Sequence, residues 1–326
     1  MTDSRRPIEQ IAPEALVQTA RIVRWIRRFF DDRDYTEIFV PLVIPFPGME
    51  PHIDAFRVSE NGTTRYLQTS PEYALKTLLG RGMKRIYSVT PCFRNEPASQ
   101  THSPQFTMLE WYRISADLFS MMDETEALIH WIVKHQGGSS MRFGCDLSQS
   151  FERIKLRDAF VQYTGVDPWL CKDGLTLRQH AQERGHRLSE LDDDWDHIFC
   201  ELFLNEIEPK LGRHRPCLLY GWPRSQAALA RLDPQNPTEA MRFELYAGGF
   251  ELANAFEELT DPIEQEKRFI EEQKQRQRLN RPVYEIDRRF LGALEHVPPC
   301  AGIALGIERL CMLLMESSTI EDVLSW

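Results

Sequence analysis

Behind Pro13 and Glu14, the apolar residues Leu16, Ala20, Val23, Ile26 and Phe30 recur at three- and four-residue steps, which predicts an amphipathic helix closed by the polar run 31–34. A strand-like stretch at 35–40 ends at Pro41. The proline-rich 41–51 reads as loop, leading to a polar hairpin near 57–67. Ser70-Pro71-Glu72 predicts a helix start, with Ser70 as N-cap and Pro71 at the first helical position. Residues 89–93 are strand-like and 106–112 alternate on a period of two. Their connection holds Pro97, Ser99, Gln100, Thr101, His102, Ser103 and Pro104, all turn and loop formers, so a long hairpin is expected with Arg94 at its rim.

Beyond the hairpin, helical periodicity at 119–135, 156–164, 175–184 and 195–211 suggests a mostly helical insertion at about 117–215 within one catalytic domain covering 1–326. The Asp192-Asp193-Asp194 run reads as a solvated helix start rather than a metal site, because acidic residues stabilise the N-terminal end of a helix. Strand character returns at 218–220, 243–246 and 250–253, the last two joined by a tight turn at Gly248-Gly249. Asp261-Pro262 then caps a charged helix to about 279, whose interleaved charges read as a solvated face. From Gly302 to Leu310 a glycine-punctuated strand runs into an apolar helix. These patterns alone support a mixed α/β enzyme.

Composition narrows the class. With 39 Lys plus Arg against 49 Asp plus Glu, the net charge is −10, so no broad cationic surface is available for extended nucleic-acid binding. A local basic patch at Lys84-Arg85 or 267–278 stays compatible with that total. Seven cysteines show no CxxC pair and no clustering with histidine, which argues against a zinc knuckle or a disulfide framework. The polar 1–10 stretch has no apolar leader core, and no run of about eighteen apolar residues occurs, so a soluble cytoplasmic protein without membrane contact is expected.

Three segments carry a resemblance. Phe93-Arg94-Asn95-Glu96 with Phe106-Thr107-Met108-Leu109-Glu110-Trp111-Tyr112-Arg113 is similar to motif 2 of the class II aminoacyl-tRNA synthetases. Gly302-Ile303-Ala304-Leu305-Gly306-Ile307-Glu308-Arg309-Leu310 resembles motif 3, and 35–40 with Pro41 resembles motif 1. The resemblance implies an α+β fold, an antiparallel sheet of about six strands flanked by helices, dimerising through the first helix and the motif 1 strand. It implies ATP and Mg²⁺ as cofactors. Arg94 and Arg309, forked donors at a strand end and a helix start, suit phosphate oxygens and are the expected catalytic pair. Asn95, Glu96, Ser103, Phe106, Glu251, Leu252 and Gly306 join them in the implied ATP site, with Phe106 stacked on adenine. Glu244 and Glu251, on neighbouring strands, are the implied Mg²⁺ ligands, since Mg²⁺ prefers one or two protein carboxylates plus substrate phosphates.

Glu258, in Phe256-Glu257-Glu258-Leu259, resembles the lysine-specific subgroup, whose glutamate receives the substrate's side-chain ammonium. Ser70, Pro71, Glu72, Glu110, Tyr112, Asn254 and Ala304 match the remaining amino-acid contacts. Three glutamates around one dication suit lysine or an isomer with two ammonium groups. The chain begins only some twenty residues before the motif 1 strand, leaving no room for an anticodon-binding barrel. It therefore resembles the truncated paralogues of lysyl-tRNA synthetase that join (R)-β-lysine, or lysine, to the ε-amine of a lysine on elongation factor P. A minimal tRNA-acylating enzyme and a silent regulatory paralogue are the alternatives. Ala304 stands where synthetases usually have glycine; its methyl group favours an amine one carbon further along, a shape effect worth about 1–3 kcal/mol. Ser103, Ala255 and Glu308 depart from the family's usual asparagine, glycine and aspartate.

Overall fold

The computed structural model describes residues 12–189 and 193–324, so the polar 1–10 stretch and Asp192 lie outside the described residues. The chain divides into two compact units, one of Met1–Gly138 with Glu257–Trp326 and one of Ser139–Phe256.

In the first unit, Arg85–Phe93 pairs antiparallel with Gln105–Ile114 without a slip, from Arg85 opposite Arg113 to Phe93 opposite Gln105. The other edge of Gln105–Ile114 takes Cys300–Gly306 antiparallel, with Ala304 opposite Glu110 and Gly302 opposite Tyr112. Thr36–Glu37 adds a parallel edge beside Arg85–Phe93. The strand expected at 35–40 is thus reduced to two residues. Ile38 N–H still bonds Tyr87 O (2.7 Å); Phe39 then turns outward, 90% exposed, ahead of Pro41, which has no N–H to donate.

Helix Pro13–Asp31 buries Ile22, Ile26, Phe29 and Phe30, a stripe rotated from the expected one, with Ala20 left exposed. Phe30 stacks on Tyr87 at 4.6 Å, which fastens the helix to the sheet. Helix Glu72–Gly80 begins one residue later than expected: Pro71 takes the N-cap position, and Ser70 Oγ accepts the Glu72 N–H (3.1 Å). Helix Pro262–Arg278 is capped by Asp261, which accepts from Ile263 and Glu264 N–H. Its solvated-face reading fits Glu271, Lys274 and Arg278 but fails for Gln265, Phe269 and Arg276, which are buried. Arg276 is 0% exposed; it donates to Glu50 O (2.6 Å), Ile53 O (2.8 Å) and Pro282 O (2.5 Å) and pairs with Asp54 (2.5 Å).

In the second unit, Glu152–Lys155 runs parallel to Cys217–Pro223, followed by antiparallel Glu239–Ala247 and Phe250–Glu257. The turn between the last two places Gly248 and Gly249 at φ 61° and 88°, a region open to glycine at little cost. Helices Leu156–Thr164, Gly174–Glu183 and Trp195–Leu202 contribute Phe160, Leu177 and Phe199 to a core shared with Leu219 and Trp222. The helix expected over 195–211 breaks after Leu202 into a π turn, Phe203–Ile207, and a 3-10 turn, Glu208–Lys210, because Pro209 cannot donate to an α-helical ladder. Asp194 accepts from His197 N–H (3.0 Å) and Asp193 pairs with Arg178 (2.6 Å), so the acidic run does serve as a helix start.

Six long strands and two short parallel edges, with helices packed on them, make the antiparallel-dominated α+β architecture that was expected. All seven cysteines are free thiols. No helix among the described residues is long and apolar enough to cross a membrane.

Replacing Arg276 by Met removes a donor from three carbonyls and from Asp54, leaving Glu50 O with the Ile53 N–H (3.2 Å) and Asp54 with Arg281 (3.1 Å). Removing one partner of a buried charged network costs about 3–5 kcal/mol, so the urea midpoint of Arg276→Met should fall by a corresponding amount; an unchanged midpoint would contradict the clamp.

Candidate active site

Glu110 and Tyr112 stand two residues apart on one strand and therefore on one face of the sheet. Glu110 is flanked by two small partners, Ala304 and Ser88, and Tyr112 lies between Gly302 and Ile86. A Cβ on Gly302 would stand 2.2 Å from Tyr112 Cε1 and 2.8 Å from Glu258 Oε1, so glycine is what lets those side chains converge.

Three carboxylates meet there. Glu110, 1% exposed, accepts from Tyr112 OH (2.6 Å) and Ser70 Oγ (2.8 Å). Glu72 opens its helix, and one turn later Lys76 Nζ donates to Glu72 Oε1 (2.5 Å). Lys76 also forms an ion pair with Glu258, whose N–H is fixed by Cys300 O (2.9 Å). Both Glu258 oxygens are buried and lack a well-angled hydrogen-bond donor, so their negative charge is met by the ion pair alone. Burial, helped by the charge of Glu72, pushes Glu110 up to about 8 against the opposing hydrogen bonds from Tyr112 and Ser70. Burial likewise pushes Glu258 up to about 8, although Lys76 pulls the other way. A cavity of about 390 Å³ adjoins the cluster, lined in part by Thr69, Ser70, Glu72 and Tyr73.

A second group forms at the hairpin rim of the same unit. The Arg94 guanidinium lies over the Phe106 ring, 5.0 Å from its centroid, and Arg94 Nε is buried with no hydrogen-bond acceptor. Arg309, in the first turn of helix Ile307–Met315, donates to His102 Nε2 (2.6 Å) and Thr101 O (3.4 Å) on the hairpin loop. Gly306 caps that helix. Its neighbour Glu308 accepts the Thr107 N–H with both carboxylate oxygens (2.8 and 2.9 Å), which ties the helix to the second hairpin strand. Ser103 is buried in the loop, while Asn95 is exposed and Glu96 half-buried just past the first strand.

The remaining candidates lie in the second unit. Glu244 pairs with Arg242 and accepts from Tyr246 OH (2.5 Å). Burial raises it to about 7, and the Glu251 charge adds to that rise. Two mutually repelling carboxylates on paired strands form an oxygen-only donor set that a hard divalent cation would relieve, so the pair fits Mg²⁺. Leu252 is buried, and Asn254 Oδ1 is buried without a donor.

The first unit thus brings together Ser70, Pro71, Glu72, Glu110, Tyr112, Glu258 and Ala304 in one cluster and Arg94, Phe106 and Arg309 in another. Sequence reasoning missed Lys76, Gly302 and the tie made by Glu308. A signal for Lys76 was present: 72, 75, 76 and 79 follow the i, i+3, i+4, i+7 rule, and all four are buried.

Residues 9–326 match the family model of class II tRNA synthetases (D, K and N). The chain is 38% identical to a protein of Actinobacillus succinogenes named elongation factor P–(R)-β-lysine ligase, over 98% of this chain and 97% of that one. Proteins of the same name from Mannheimia succiniciproducens and Yersinia enterocolitica are each 37% identical, covering 96% and 100% of this chain and 96% and 98% of theirs.

Because Glu110 and Glu258 hold protons more tightly when folded than when unfolded, the folded state binds more protons between the ordinary carboxylate range and about pH 8. Stability of the ligand-free protein should therefore fall as pH rises from about 5 to 8. Urea titrations across that window should give a shallower fall for Glu110→Gln than for the unsubstituted protein; equal slopes would remove Glu110 from the effect.

Proposed function

Since the chain belongs to the elongation factor P–(R)-β-lysine ligase family of class II tRNA synthetase-like enzymes, we propose that it activates (R)-β-lysine, or lysine, with ATP and transfers the acyl group to the ε-amine of a lysine on elongation factor P. The observation that carries this reading is the buried trio of Glu72, Glu110 and Glu258, an acidic pocket suited to a substrate with two ammonium groups. The side-chain carboxylate of an acidic amino acid would face net repulsion there.

In the first step a carboxylate oxygen of the amino acid bonds to the α-phosphorus of ATP, and pyrophosphate leaves. Arg94 and Arg309 neutralise charge on the phosphates. The unsatisfied Arg94 Nε and the Arg94 position over Phe106 support a nucleotide at the hairpin rim, with the base taking the guanidinium's place on the ring. Glu244 and Glu251 would hold Mg²⁺, which screens the phosphate oxygens when bound. In the second step the neutral ε-amine bonds to the acyl carbon, the bond to AMP breaks, and the amine's extra proton is lost as the amide forms.

Ala304 lies directly opposite Glu110 in the strand register, which supports preference for the β-isomer by bringing a methyl group against the carboxylate expected to receive the shifted amine. A homodimer through the first helix and the motif 1 stretch is supported by the exposed apolar side chains Val17, Phe39, Leu42 and Val43. Acting on a translation factor, the enzyme works in the cytoplasm.

The intact mass of purified elongation factor P, incubated with the protein, ATP, Mg²⁺ and either (R)-β-lysine or L-lysine but no tRNA, should rise by one lysyl unit, further toward completion with the β-isomer. No gain with either amino acid would reject the ligase reading. Arg94→Ala should abolish amino-acid-dependent pyrophosphate exchange, and a variant with normal exchange would contradict its assigned role. Gly302→Ala, by displacing Tyr112 and Glu258, should raise the KM for the amino acid at least about tenfold while leaving that for ATP unchanged.

A further inference from the structure

Lys76 is a lysine where a solvated one would be expected, on the buried side of a nine-residue helix. Its residue is 1% exposed, and its ammonium sits between Glu72 and Glu258, two of the three carboxylates assigned to the substrate. Buried ammonium groups are expensive to keep charged without partners. The groups around it are Glu72 on its own helix, Glu258, Glu110 and Tyr112 on Gln105–Ile114, and Cys300 at the start of Cys300–Gly306. Helix Arg288–Leu294 meets the Lys76 helix on another side, through Phe290 stacked on Tyr73 at 4.1 Å.

We propose that Lys76 is a specificity-determining positioning residue: a fixed internal counter-cation that leaves the pocket with two uncompensated carboxylate charges, matched to a substrate bearing two ammonium groups. Once a bound cation draws all three glutamates into the ionised form, they leave a net charge of −2 against the one lysine. A substrate with one ammonium leaves a carboxylate buried and unmatched, and one with two balances the pocket. Because Lys76 is anchored one turn from Glu72 and walled from water, it holds Glu72 and Glu258 apart and oriented, rather than swinging aside when substrate enters. Burial opposes its charge, but Glu258 and Glu72 outweigh that and hold the ammonium above the ordinary lysine range. Its charge in turn lowers both Glu110 and Glu258, which keeps them nearer the ionised form that an ammonium needs.

This inference rests on the reading of the carboxylate trio as a diamine site, and the test separates the two. Amino-acid-dependent pyrophosphate exchange is measured from pH 6 to 9.5 for the unsubstituted protein, Lys76→Gln and Lys76→Met, with (R)-β-lysine, L-lysine and the one-amine analogue L-norleucine. Exchange by the unsubstituted protein with neither diamine would overturn the site reading itself. Given exchange, both variants should show a diamine KM raised at least about tenfold at neutral pH, an ascending limb of kcat/KM displaced to higher pH, and an unchanged KM for ATP. Their preference for diamine over L-norleucine should narrow. A folded variant that keeps the diamine KM and pH profile would overturn the inference. So would one whose diamine and ATP constants worsen together with no shift in the pH profile, since that is the signature of a packing role alone. Gln retains length and donors where Met retains only volume, so a folding failure confined to Met leaves the Gln result decisive.

Discussion

Three carboxylates buried side by side repel one another where water cannot screen them, and the first unit is arranged around that constraint. Taking each such ion out of water costs several kcal/mol, and Glu72, Glu110 and Glu258 are all largely buried. Each is met differently. Glu110 takes two hydroxyl donors, Glu72 shares Lys76 with its own helix, and Glu258 has the Lys76 ion pair but no further donor. The cluster is therefore compensated only in part, and the surplus negative charge is an attraction waiting for cations. Backbone register maintains it: slipping Gln105–Ile114 by one residue would send Glu110 and Tyr112 to the opposite face of the sheet, and Ala304 and Gly302 would no longer flank them.

The hairpin rim follows a different logic. Arg94 rests on an aromatic face, and Arg309 bonds an imidazole nitrogen and a carbonyl oxygen of the hairpin loop. Glu308 is the nearest acid in sequence, but both its oxygens are occupied by Thr107 N–H. Its departure from the family's usual aspartate gains a methylene's reach. In this chain that reach spans from the motif 3 helix to the motif 2 strand.

Much of this was legible in the sequence because it rests on local rules. Period-two alternation at 106–112 and the loop formers of 97–104 announced that hairpin, and Gly248-Gly249 announced the turn between Glu239–Ala247 and Phe250–Glu257. The arginines, glutamates and Ala304 were legible through motifs with fixed spacing. What escaped were charged residues buried by tertiary context. Arg276 lies seven residues from Phe269, and Lys76 four from Glu72, so both are in phase with buried neighbours. Periodicity could have flagged them, yet a charged residue in an apolar stripe is ordinarily assigned to the solvated side. Gly302 escaped for the opposite reason: its importance lies in the ring of Tyr112 on another strand, and no local pattern encodes a distance across a sheet. The shortened 35–40 strand and the rotated face of the first helix likewise reflect which neighbour each segment meets.

A partly compensated acidic pocket also explains how such a site can discriminate strongly. Apolar pockets separate substrates that differ by one methylene by only about 1–3 kcal/mol. A pocket whose carboxylates are buried and unmatched until two ammonium groups arrive penalises a missing amine much more heavily, because the loss leaves a charge stranded in low dielectric rather than a small void. The same physics limits what the site can ask of geometry. On the proposed diamine reading, charge sets how many amines bind, whereas the distance between them must be read by shape, and on Cys300–Gly306 the side chain opposite Glu110 is the methyl group of Ala304. On that reading, charge recognition by Glu72, Glu110 and Glu258 and shape recognition by Ala304 fall to different residues, which lets either be changed without dismantling the other.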